Sequence, residues 1–118
     1  MTTGNELTAL SETLRDFAAA RDWRAFHTPK NLAMALIVEA AELVEHFQWA
    51  TPEESAALTP EKAAAVREEV ADVLIYLVEL ADALGIDLIA AAHDKIAKNA
   101  QKYPVHKARG NATKWDKL

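Results

Sequence analysis

From Pro60 to Leu84 the chain carries neither a glycine nor a second proline. Thr59 suits the cap before such a stretch, Pro60 the first helical position, and Glu61 the positive end of the helix dipole. Gly85 is the expected stop. One long helix over 60–84 therefore organises the chain, and the rest must pack along it. Three glycines and four prolines in 118 residues also argue against a sheet built from many turns. Good helix formers dominate instead.

Three more helices follow from periodicity and end signals. The first spans about Asn5 to Arg21, with Leu7, Leu10, Leu14 and Phe17 at helical spacing. An aromatic connector, Asp22 to Pro29, leads into a second helix from about Lys30 to Gln48. Trp49 to Thr59 reads as a loop with a single turn after Pro52. Asp87 caps a last helix that ends near Tyr103, ahead of Pro104. Residues 1–104 thus read as one helical domain, and 105–118 as a polar tail that Trp115 could anchor. The hydrophobic fraction of 51% is ample for a core, but much of it is alanine and only 7% is aromatic. Such helices bury little area each, so a partner subunit is expected to cover apolar faces.

The charge balance narrows the function. A net charge of −5 disfavours nucleic acid as partner, because duplex binding needs a basic face. There is no cysteine, hence no disulfide framework, thiolate metal site or thiol nucleophile. The N-terminus does not read as a signal peptide, and no apolar run is long enough to cross a membrane. The expected location is cytoplasmic.

The informative acids sit where apolar residues belong. Leu32, Leu36 and Leu43 form a stripe on the second helix, with Glu39 in its middle and Glu42 flanking it. On the third helix the stripe is Val66, Val73, Tyr76 and Leu80, with Glu69 at its centre and Asp72 three residues on. No Lys or Arg shares either face within three residues to neutralise them. Grouped ionised carboxylates are costly through desolvation and mutual repulsion, and a bound divalent cation is the economical remedy. Oxygen ligands without His or Cys favour a hard ion: Mg²⁺, with Mn²⁺ as a substitute. For any single acid, a solvated surface role is the better reading. For two acid-x-x-acid pairs centred on apolar stripes it is not. Glu45, Glu68 and Glu79 lie further round their helices, and Glu45 and Glu68 read as surface acids. Phe26 and Phe47 read as core filler.

The order Glu39-x-x-Glu42, a long gap, then Glu69-x-x-Asp72 resembles the all-α, MazG-like nucleotide pyrophosphohydrolases. WRAFHTPKNLAMALIVEAAELVEHFQW and EEVADVLIYLVELADALGIDL resemble the dCTP pyrophosphatase branch nearly throughout, as do Lys95, Asn99, Tyr103 and Pro104. The similarity spans about Leu14 to Pro104. It implies a four-helix bundle assembled as a tight dimer or a dimer of dimers, with Mg²⁺ on Glu39, Glu42, Glu69 and Asp72. It also implies substrate contacts from the Trp23–His27 segment, Trp49 and Tyr76, with Lys95 and Asn99 near the phosphates or ribose. Some animal members carry a histidine on the first helix where this chain has Leu14, which bears on base preference.

The expected reaction is Mg²⁺-dependent conversion of a deoxynucleoside triphosphate, dCTP or a modified dCTP first, to the monophosphate and pyrophosphate. Glu39 and Glu42 are both candidates for the proton acceptor. Trp23, His27 and Trp49 offer flat surface for a base. Lys95, Asn99 and Lys102 share a polar face suited to phosphate oxygens. The alternatives are the same fold acting on dUTP or a broad set of triphosphates, and a non-catalytic, metal-binding helical dimer or antitoxin-like regulator.

Overall fold

Each long helix begins at a side chain that satisfies its first free N–H groups. In the computed structural model, which describes residues 5–118, the Asn5 side chain accepts from the Thr8 N–H at 2.7 Å. Thr28 accepts from Asn31 (3.2 Å), Thr59 from Lys62 (3.3 Å) and Asp87 from Ala90 (3.1 Å). These caps open α1 (Glu6–Ala20), α2 (Pro29–Glu45), α4 (Pro60–Leu84) and α5 (Leu88–Lys102). Between α2 and α4 lies the short α3 (Pro52–Ala56). Its cap Thr51 accepts from the Glu54 N–H, while the Glu54 carboxylate accepts from the Thr51 N–H.

The ends are equally local. Gly85 adopts φ 66°, and the Ile86 N–H donates to the Ala81 carbonyl at 2.8 Å, closing α4. Asp22 (φ 55°) closes α1, and the Trp23 N–H turns back to the Ala18 carbonyl at 3.0 Å. A 3₁₀ turn, Arg24–Phe26, then leads into α2. α2 stops at Glu45 rather than Gln48, although the Gln48 N–H still donates to the Val44 carbonyl at 3.0 Å. The boundary shift lies within one tightening turn. Residues 105–118 form the one-turn α6 (Val105–Ala108) and a 3₁₀ turn at Trp115–Lys117. The Lys102 ammonium lies 5.2 Å from the centre of the Trp115 ring, a cation–π contact that ties this segment to the end of α5.

The described residues contain four long helices and no strand. α2 packs along α4, and α1 packs on α4. Leu32, Val78, Ala81 and Ala18 are the buried apolar residues where these helices meet. Along α2, Leu32, Leu36, Glu39 and Leu43 are buried or half-buried, as are Val66, Glu69, Asp72, Val73, Tyr76 and Leu80 along α4. The stripes read from the sequence are therefore the packed faces. α2 and α4 are antiparallel: Glu39 meets Glu69 and Asp72, while His27, just ahead of α2, meets Glu79 near the far end of α4.

The fourth long helix stands apart. α5 packs closely on none of the others, and residues 89–101 are exposed. The radius of gyration is 17.7 Å, against about 13–14 Å for a compact domain of this length. A second apolar stripe also remains open: Met34, Ile37, Val38 and Val44 on α2, and Val70, Leu74 and Leu77 on α4. Phe26, expected as core filler, is 66% exposed in the single chain, because its short 3₁₀ turn projects beyond the helix pair. No helix among the described residues is long and apolar enough to cross a membrane.

Candidate active site

The packed face shared by α2 and α4 carries two chemically different ends. At one end, carboxylate oxygens of Glu39, Glu69 and Asp72 lie within 4.8 Å of one another. The i, i+3 spacing on α4 puts Glu69 and Asp72 on one side, and the antiparallel α2 brings Glu39 against them. Glu42 joins through Glu39. Removal from water pushes the Glu39 carboxyl up to about 7, helped by hydrogen bonds with Glu42 and Glu69 and by the charges of Glu42 and Asp72. Giving Glu39 a proton relieves the cost of burying its charge beside other acids.

A divalent cation would do the same. One oxygen of Glu69, Oε2, is buried with no hydrogen-bond partner. A buried carboxylate oxygen without a partner is costly, and here it stands in a set of oxygen donors suited to a hard ion. The residues present fit such an ion.

One turn past Asp72, Tyr76 lies between the two ends. Burial raises its hydroxyl above the usual range, and the carboxylates of Glu39, Glu79 and Asp72 add to the effect. The hydroxyl thus stands within the field of the acidic cluster on one side and of Glu79 on the other.

At the other end is a cavity of about 170 Å³, walled by Leu14, Ala18, Leu32 and Val78, with His27 and Glu79 among its polar lining residues. His27 Nδ1 lies 3.3 Å from Glu79 Oε2. Trp23 packs edge-on against His27 (6.3 Å between ring centres) and against Phe17 (5.8 Å). The mouth of the cavity is held by Arg15, which makes three hydrogen bonds of 2.7–3.1 Å to Asp82. That guanidinium keeps the Asp82 carboxyl below its usual range.

The residues singled out in the sequence therefore divide. Glu39, Glu42, Glu69 and Asp72 come together, with Tyr76 beside them, and Trp23 meets His27. Trp49 does not join them. It is 90% exposed beyond the acidic end of α2, where it borders a separate depression with Glu45, His46 and Lys62. Lys95 and Asn99 are exposed on α5 and do not reach the acids within one chain. From the sequence, Glu79 reads as lying further round its helix. Instead its side chain is 14% exposed, facing His27. The signal was available, since Glu79 lies seven residues after Asp72 and three after Tyr76, on one helical face.

The sequence profile of the MazG-like family matches residues 34–118. Over 105 residues, 87% of this chain, it is 49% identical to dCTP pyrophosphatase 1 of Rattus norvegicus and 46% identical to that of Homo sapiens. The chain spans 62% of the length of those relatives. A crystal structure of a pyrophosphatase from Archaeoglobus fulgidus superposes with a TM-score of 0.80 at 41% identity, covering 88% of this chain and 97% of that one. With its helical architecture, its paired acids and the profile match over most of its length, the chain belongs to the MazG-like family.

Proposed function

We propose that the chain is a Mg²⁺-dependent nucleotide pyrophosphohydrolase that converts dCTP, or a dCTP modified on its base, to the monophosphate and pyrophosphate. The observation that carries this reading is the convergence of Glu39, Glu69 and Asp72, with Glu42 attached, on a face that continues into a ring-sized cavity. The similarity to dCTP pyrophosphatases supports the base, and the neighbouring pyrophosphatase structure supports the bond that is cut.

Glu39, Glu69 and Asp72 would hold Mg²⁺, with Mn²⁺ as a substitute. When bound, the ion supplies charge neutralisation and Lewis acidity toward phosphate oxygens. Glu42, outside the tight trio, is the carboxylate best placed to take the proton of the attacking water. That water's oxygen bonds to the α-phosphorus, the bond from phosphorus to the bridging oxygen breaks, and pyrophosphate leaves. Tyr76 lies where the sugar would pass. Trp23 and His27 border the end where the base would rest.

Trp49, Lys95 and Asn99 would complete the site in an assembly. The open apolar stripe on α2 and α4 and the unpacked α5 support a homodimer or homotetramer. In such an assembly Lys95 and Asn99 would approach phosphates or ribose, and Trp49 would stack on a base. A cytoplasmic house-cleaning role, without nucleic acid or membrane as partner, fits the acidic composition.

Pyrophosphate release tests the reading, with Mg²⁺ and the four standard dNTPs, dUTP and 5-substituted dCTPs as substrates. Formation of dCMP and pyrophosphate, lost with EDTA, is the expected result. Silence across the panel would refute it.

A further inference from the structure

The cavity at the far end of the α2–α4 face contains a carboxylate that nothing in the metal-site chemistry uses. At about 170 Å³ it is large enough to admit a pyrimidine ring. The walls contributed by Leu14, Ala18, Leu32 and Val78 are apolar, and Glu79 stands against them with a lone acceptor to offer. Its Oε2 is buried and makes no hydrogen bond, although His27 Nδ1 is 3.3 Å away.

Two arginines, Arg15 and Arg24, also line the cavity, and Arg15 is bound to Asp82 through three hydrogen bonds. Glu79 is held in place by His27 yet left unsatisfied. A buried acceptor in that condition costs free energy unless a ligand donates to it.

Position supplies the rest. Asp72 and Glu79 are seven residues apart on one face of α4, about 10 Å along the helix axis. Tyr76 stands between them, under the influence of both. A nucleotide with its phosphates at the acids would run along this face and bring its base to Glu79.

We propose that Glu79 reads the edge of the base, accepting a hydrogen bond from the exocyclic amino group of a 4-aminopyrimidine. An ionised carboxylate only accepts, and the amino group of cytosine is a donor. A 4-oxo base such as uracil or thymine would set a carbonyl oxygen against the carboxylate, two acceptors face to face. Glu79 is thus the specificity determinant between dCTP and dUTP. This assignment rests on the nucleotide reading of the site.

The test is Glu79→Gln, nearly isosteric, whose amide can turn to present either a donor or an acceptor. The ratio of kcat/KM for dCTP over dUTP should fall about tenfold or more. Equilibrium binding of dCMP and dUMP, measured by calorimetry in EDTA, should lose its preference in parallel. A preserved ratio in both assays, with the two substrates weakened equally, would make Glu79 a support for His27 and overturn the proposal. A wild-type protein that binds dUMP as well as dCMP would also overturn it. If the wild type turns over no triphosphate but prefers dCMP in a Glu79-dependent way, the hydrolase reading fails and the Glu79 assignment stands.

Discussion

The inner and outer faces of the α2–α4 pair break the usual rule of burial in opposite ways. The inner face, packed between the helices, carries Glu39, Glu42, Glu69 and Asp72 where a core would be apolar. The outer face carries Val70, Leu74 and Leu77 on α4 and Ile37 on α2, and Ile37 is 66% exposed. Charge lies inside and hydrocarbon outside, on the same two helices. On the proposed reading both departures mark faces that the single chain leaves incomplete. A divalent cation would supply the counter-charge that the inner face lacks. A second copy of the chain would cover the outer face.

The largest effects are expected on the inner face. Glu69→Ala and Asp72→Ala should each reduce turnover by at least about a hundredfold, with helicity by circular dichroism unchanged. Activity retained in both variants would remove the acids from the metal site. On the outer face, Leu74→Glu should convert the assembly to monomers by sedimentation and lower the melting temperature. If the native protein already sediments as a monomer, the apolar stripe has another use.

A third, gentler test titrates the inner face. In folded protein without metal, the Glu39 carboxyl is raised from its ordinary 4.5 to about 7. An acid whose folded value is raised is less stable in its ionised form, so the penalty is absent below pH 4.5. It grows as pH rises to about 7 and is constant above. The melting temperature of the EDTA-treated protein should therefore fall between pH 5 and pH 7, and Mg²⁺ should flatten that slope. A metal-free melting temperature that rises over this interval would contradict the assignment of strain to Glu39.

The smallest effect belongs to neither face. Asp82→Asn removes an exposed ion pair with Arg15, whose contribution to stability acts above the ordinary carboxylate value and is lost as pH falls below it. It should lower the melting temperature less than Leu74→Glu does.

Much of the inner face was legible in the sequence because helix periodicity and capping are local. Thr59, Pro60 and Gly85 bound α4 as expected, and the 3.6-residue period put four acids on two facing stripes. What escaped depends on contacts between distant segments. Glu79 looks peripheral on a helical wheel centred on Glu69 but shares a face with Asp72 and Tyr76, and its partner His27 comes from the distant Asp22–Pro29 connector. Trp49, Lys95 and Asn99 carry a different lesson. They were identified by resemblance, and in one chain they face solvent. A role for them at the site would need a second copy of the chain, which single-chain packing does not provide. Trp115 was legible as an anchor for residues 105–118, but its partner Lys102 depends on how the segment folds back.

The central claim is that the inner acids form a cation site. Titrating Mn²⁺ into the wild-type protein and into a Glu69→Ala/Asp72→Ala double variant, with free ion followed by electron paramagnetic resonance, tests it most directly. Saturable binding is expected in the wild type and should disappear in the double variant. No saturable binding in the wild type, or binding unchanged in the variant, would contradict it.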